Sequence, residues 1–216
     1  MPILIGVSFS IAALLLWQEL KFHERNQIHR KTELEASNIK IELNNEIQEQ
    51  ILVLVRIAKR WEIRRRPSQN EWQSDTELYI KHFGSYQAID WVDSSFYVRW
   101  VVPKAGNEAV QNLKFPWKKH RQSVILAALK TRQAKVTGTV TLVQGSKGFL
   151  VCVPIFRDQR LQGFIVGLFH NQKFFDKVLH PNITQGYEVA ILDNKELVYW
   201  RSDQYTKVQP EFANNK

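Results

Sequence analysis

The sequence predicts an α+β chain: a long N-terminal helix, one five-stranded antiparallel sheet with flanking helices, and a C-terminal hairpin. Three observations carry this. Residues 22–66 contain no Gly or Pro and are rich in Glu, Gln, Lys, Leu and Ile, as one long helix requires. Residues 88–169 hold five short runs of apolar, β-branched and aromatic residues. A helix-like stretch divides those runs into two and three, and Gly-, Asp- and Ser-bearing segments separate the rest.

The chain begins with a nearly uninterrupted apolar run over residues 3–17. It is short of the roughly 20 residues that a hydrocarbon core asks for, yet long for a soluble helix with no polar face. No basic segment precedes it. Trp17, Gln18 and Glu19 follow directly, which argues against a cleaved signal peptide. Residues 1–20 are therefore read as a transmembrane signal anchor, the other reading being a buried core helix. Lys21, Arg25, Arg30 and Lys31 follow the run, and by the positive-inside rule they would hold the bulk of the chain in the cytoplasm.

Residues 21–66 are expected to form a stalk helix. Ile47, Ile51, Leu54, Ala58 and Trp61 recur at steps of four and three, the apolar seam of a coiled coil. That seam fits either a homodimer or a helix packed on its own domain. Pro67 ends the helix, residues 71–83 form a second, and Gly84 punctuates the entry to the sheet.

The expected strands are AIDWV (88–92), FYVRWVV (96–102), TVTLVQ (139–144), FLVCVPIF (149–156) and GFIVGLF (163–169). Alternation places Phe96, Val98, Trp100 and Val102 on one face of the second strand, and Tyr97, Arg99 and Val101 on the other. In KAGNE, residues 104–108, Gly106 and Asn107 can both take positive φ. Residues 117–131 read as an amphipathic helix with Val124, Leu126, Ala127, Ala128 and Leu129 on its apolar side. A short helix with Phe174, Phe175, Val178 and Leu179 precedes Pro181, and residues 188–193 and 196–201 form a hairpin around Asn194-Lys195. The domain plan is an anchor (1–20), a stalk (21–66), a sensor-like domain (67–180), and a hairpin and tail (181–216), read as an addition to the sheet or the start of a further subdomain.

Composition and motifs exclude several functions. The single Cys152 rules out an internal disulfide and a Cys-based metal site. The six histidines form no HxH or HxxxH pair, so no metal or other cofactor is expected. There is no phosphate-binding loop and no nucleophile elbow. Asp90 and Asp93 fall on opposite strand faces and do not converge as an acid/base pair. No enzyme is expected. The net charge of +9 is spread along the chain, and without a helix-turn-helix, zinc-finger or RNP-like pattern it reads as a solvated basic surface, not a nucleic-acid site. Asn182-Ile183-Thr184 matches a glycosylation sequon by pattern only.

Two strands, a helical crossover and three strands is the order of a PAS-like sensor sheet. Within it, AIDWVDSSFYVRWVVPKAGNEAVQNL, then TGTVTLVQGSKGFLVCVPIF and LQGFIVGLF, resemble the CHASE family of extracytoplasmic sensor domains over residues 35–180. The marks are Pro103, the Gly106-Asn107-Glu108 turn, the strand through Gln144 toward Gly148-Phe149, Pro154, and the Gly163 to Gly167 strand. The resemblance implies a single-pass protein of the inner or plasma membrane whose domain binds a small molecule outside the membrane and signals to a histidine kinase or diguanylate cyclase in a longer parent chain. This conflicts with the positive flank. The sequence also departs from the family in carrying one hairpin of a membrane-proximal portion and no second anchor. Ligand-binding candidates on the sheet and its loops are Trp91, Tyr97, Arg99, Asn107, Glu108 and Gln144, with Asn107 and Glu108 equally readable as turn formers. The alternative function is a scaffold that meets lipid or protein and has no ligand cavity.

Overall fold

The computed structural model describes residues 2–64, 66–115, 119–142, 145–180, 184 and 186–202, with side chains from residue 12 in the first helix and from residue 122 in the third. Two compact units divide it, Met1–Asn44 and Asn45–Lys216. The first is the N-terminal part of helix α1, which runs Pro2–Arg64. In this unit Leu14, Leu16, Leu34 and Ile41 are exposed. No helix among the described residues is long and apolar enough to cross a membrane. The first eleven side chains, which include most of the expected anchor, lie outside that description.

The second unit is built on one antiparallel sheet. Its strands are β1 (Tyr86–Asp93), β2 (Val98–Val102), β3 (Lys135–Val136), β4 (Val140–Thr141), β5 (Lys147–Arg157) and β6 (Arg160–His170), in the order β2-β1-β6-β5-β3 with β4 also on β5. Six strands replace the expected five because residues 135–141 meet β5 in two pieces. Between them Thr137 still donates its N–H to the Leu150 carbonyl at 2.9 Å but takes the Leu150 N–H on its side-chain Oγ1 at 2.9 Å, and the Thr139 N–H turns away to Asp193 Oδ2 at 2.6 Å. The β5–β6 hairpin turns on Asp158 and Gln159, both at positive φ, the geometry of a two-residue turn.

One sheet face is covered by α1. Leu54, Ala58 and Trp61, three of the five residues of the expected seam, are buried, Leu54 against Gly167 of β6 and Trp61 against Trp91 of β1. An apolar stripe states that something must cover it, not what. Polar bonds fix the helix there: Ser85 Oγ donates to Gln50 Oε1 at 2.7 Å, Tyr86 Oη donates to the Gln50 carbonyl at 2.8 Å, and the Phe156 N–H donates to Glu62 Oε1 at 3.1 Å. Helix α2 (Gln69–Phe83) is capped by the Ser68 side chain and ends on Gly84 in the left-handed conformation.

The opposite face carries a core that includes Ala88, Val92, Val98, Val101, Cys152 and Phe164. Helix α3 (Lys119–Thr131) contributes Ile125 and Ala128, whereas Leu126, expected on its apolar side, is 53% exposed. Residues 112–115 run beside β2, with Asn112 N–H donating to Val98 O and Phe115 N–H to Phe96 O, each at 2.7 Å. Helix α4 (Asn171–Val178) sets Phe174 edge-on to Phe149. The hairpin β7 (Val189–Asp193) and β8 (Glu196–Arg201) joins this architecture through Tyr199 Oη, which donates to Asp176 Oδ1 at 2.9 Å, and Lys147–Glu196 at 2.6 Å. Asn182 of the sequon and Gln144 lie outside the described residues.

Candidate functional site

Strand β1 pairs with β2 as Ile89↔Val102, Asp90↔Val101 and Trp91↔Trp100, but Val92 then meets Val98. Arg99 is the extra residue of a β-bulge. The simple alternation expected for β2 is therefore wrong: Val98 and Val101 both join the α3-side core, while Trp100 and Val102 pair with residues on the α1 side. A bulge commonly re-aims a side chain in this way. Here it brings Arg99 to the same side as Trp91 and Trp100.

A cleft of about 750 Å³ opens at this place. Helix α1 supplies Trp61, and the chain just beyond it supplies Arg66. The sheet supplies Trp91, Asp93, Arg99 and Trp100, and the edge residue Asn112 with Arg157 and Gln162 from the β5–β6 end complete the wall. The three indoles pack as one cluster: Trp61 lies 4.7 Å from Trp91 and 5.3 Å from Trp100, and Trp91 lies 4.8 Å from Trp100. Such tilted contacts contribute about 0.5–1.5 kcal/mol each beyond area burial.

Arg66 lays its guanidinium 4.6 Å from the Trp91 centroid and 5.1 Å from that of Trp100. It does so from a backbone φ of 68°, immediately before Pro67. A left-handed, non-glycine residue costs roughly 1–2 kcal/mol, and proline disfavours an α conformation in the residue before it. The stacking on two indoles opposes that cost. Gly163, at φ +142°, lets β6 pass so close to β1 that a Cβ would stand 2.2 Å from the Val92 carbonyl and 3.2 Å from Trp91 Nε1. That Nε1 is buried without a hydrogen-bond partner.

Asp93 anchors the β1–β2 turn. Its Oδ1 accepts the N–H groups of Ser95 and Tyr97, each at 2.9 Å, and its Oδ2 accepts Arg99 Nε at 2.6 Å. Partial burial works to raise its pKa, but the bonds from Tyr97, Arg99 and Ser95 outweigh it and hold the carboxyl below the ordinary range. Tyr97 lies beneath the Arg99 guanidinium at 5.0 Å.

Of the six candidates, Trp91 and Arg99 line the cleft and Tyr97 supports Arg99. Asn107 and Glu108 do not line it. Asn107 is buried and donates to the Pro103 carbonyl at 2.9 Å, and Glu108 opens a short 3-10 turn. Asn107 has φ −127°, so Gly106 alone of the pair takes positive φ. Their placement is that of turn formers.

Trp61, Arg66, Asn112, Arg157 and Gln162 were not singled out by sequence as site residues. Trp61 ends the apolar seam and Arg66 ends a run of three arginines before a proline. Arg157 and Gln162 bracket the β5–β6 turn. Asp90 was also missed as a site feature. It sits in the α3-side core between Val101 and Val166, 1% exposed, its Oδ1 without a hydrogen bond. Burial alone lifts its pKa to about 8.

Solved structures share this fold. The extracellular ligand-binding receptor from Desulfohalobium retbaense DSM5692 superposes with a TM-score of 0.57 at 15% identity, covering 76% of this chain and 31% of its own, so the chain spans under a third of that receptor. The ligand-binding domain of the Pseudomonas aeruginosa amino-acid chemoreceptor PctC, solved with GABA, gives 0.52 at 13% identity over 76% of this chain and 70% of its own. That of the Pseudomonas fluorescens chemoreceptor CtaA, solved with L-alanine, gives 0.52 at 14% identity over 87% and 72%. No curated protein matches the sequence. The family model of the CHASE domain matches residues 49–199, from the buried half of α1 to the second strand of the C-terminal hairpin, and the chain belongs to the CHASE-domain family.

Proposed function

We propose that this chain is the extracytoplasmic, non-catalytic sensory portion of a membrane receptor, and that the tryptophan–arginine cleft binds a small-molecule ligand. One observation carries the reading: the cleft is walled jointly by the end of α1, through Trp61 and Arg66, and by the sheet, through Trp91, Arg99 and Trp100. A ligand held by both walls has different affinities for different placements of the helix end, and that difference is what biases a two-state element. Membership of the CHASE family and likeness to chemoreceptor domains solved with GABA and L-alanine support a small-molecule ligand. The volume lies within the ordinary range for such sites.

On this reading the apolar run over residues 3–17 anchors the chain, the exposed Leu34 and Ile41 pair it with a second copy, and a kinase or cyclase module in a longer parent chain receives the signal. The test is a thermal-shift screen of the full chain in detergent against a small-molecule library. A ligand specific to the folded state at a hundredfold excess over its Kd adds about 2.7 kcal/mol. Stabilisation that Trp91→Phe or Arg99→Met abolishes is expected. A folded protein that no compound stabilises would refute the sensor reading.

A further inference from the structure

We infer that the ligand of this cleft is a small organic polyanion bearing two or more carboxylate or phosphate groups; the inference rests on the sensor reading of the same cleft. Three guanidinium groups, Arg66, Arg99 and Arg157, face it against a single carboxylate, Asp93. That carboxylate is already committed, since it accepts two backbone N–H groups and the Arg99 Nε. Arg66 stacks on indole faces and has no carboxylate within 4.0 Å among the described residues. Among the described residues Arg157 reaches one carboxylate, that of Asp158 at 4.0 Å, and that aspartate is 91% exposed.

Cations gathered around one opening repel each other, and an anion between them removes the repulsion. A guanidinium is suited to this role because its planar fork of N–H donors matches the two oxygens of a carboxylate or the edge of a phosphate. Arg66 sits over the Trp91 and Trp100 rings and pairs with no carboxylate among the described residues, so its N–H donors are available to a ligand. The three arginines come from three places: the end of α1, the β2 bulge and the β5–β6 hairpin. A monoanion meets one or two of them. A polyanion spans all three and ties the helix end to the sheet.

The experiment titrates the full 216-residue chain in detergent with citrate, as a tricarboxylate, and with pyrophosphate, at constant ionic strength. It follows calorimetry and tryptophan emission, since three of the seven tryptophans wall the cleft. Saturable binding of at least one anion with an emission change is expected, and which anion binds separates carboxylate from phosphate recognition. Arg66→Met and Arg99→Met should each weaken binding about tenfold or more, while Lys130→Met on the exposed side of α3 leaves it unchanged, all with wild-type circular dichroism. Absence of saturable binding of either anion at millimolar concentration would overturn the inference, as would binding that neither arginine variant alters. If GABA or another zwitterion saturates the emission change while both anions fail, the polyanion assignment falls and the sensor reading stands. If none of these binds, the polyanion assignment falls and the library screen alone decides the sensor reading.

Discussion

Asp90→Asn tests how the interior strand β1 tolerates a carboxyl inside the core. Asp90 is buried between Val101 and Val166, and the next residue with charge along this row of the sheet is Lys135, beyond Val166 and Cys152. Burial raises its pKa from 3.8 to about 8. The sign follows from linkage. The native state binds this proton more tightly than the unfolded chain, so between the two pKa values the native state holds more protons and stability falls as pH rises. The slope is about 1.4 kcal/mol per pH unit over about four units, so the loss approaches about 5–6 kcal/mol by about pH 9. That is a large share of the roughly 5–15 kcal/mol of an ordinary domain. Urea denaturation at a series of pH values, followed by tryptophan emission, reads it directly. Wild type should lose stability steadily from weakly acid to weakly alkaline pH, and Asp90→Asn should be nearly flat there and the more stable of the two at the alkaline end. Asp93 does not confuse the result. Its lowered pKa contributes stability above the ordinary carboxylate pKa and loses it as pH falls through the lowered value, a window more acid than that of Asp90. Parallel curves for the two proteins would show that Asp90 is not buried without a partner.

Two further substitutions probe the walls of the cleft. Trp61→Ala removes a 4% exposed indole that contacts both Trp91 and Trp100, and should cost about 3–5 kcal/mol in a denaturant titration; a cost below about 1 kcal/mol would mean that α1 is not seated on the sheet. Gly163→Ala combines positive φ with a Cβ aimed at the Val92 carbonyl and should destabilise by about 1–3 kcal/mol or more. Gly106→Ala shares the positive φ but meets open space, so it should cost less, and equal melting temperatures for the two variants would refute the close β1–β6 approach.

Local chemistry made much of this molecule legible. The long helix followed from some forty residues without Gly or Pro, the second helix from its boundary with Pro67 and Gly84, and the β5–β6 and β7–β8 hairpins from polar turns between apolar runs. Family resemblance was carried by turn residues and strand ends, and the family model confirms it. Trp91 and Arg99 were candidates as aromatic and polar side chains on the sheet, the kind that line a ligand pocket, and both line the cleft.

What sequence could not supply was pairing. Whether Leu54, Ala58 and Trp61 face a second helix or this chain's own sheet is invisible to periodicity, because both partners accept the same apolar stripe; the sheet took it. The bulge at Arg99 depends on which β2 residue stands opposite Val92, and one extra residue there moved Val101 into the core and turned Arg99 toward the cleft. Arg66 and Arg157 lie some ninety residues apart in the chain and meet only because the end of α1 reaches the β5–β6 turn. The sequence by itself determined the elements and their order, since propensity, capping and turn chemistry act within a few residues. Tertiary structure alone decided the site, since strand register and helix docking bring together charges that no local pattern relates.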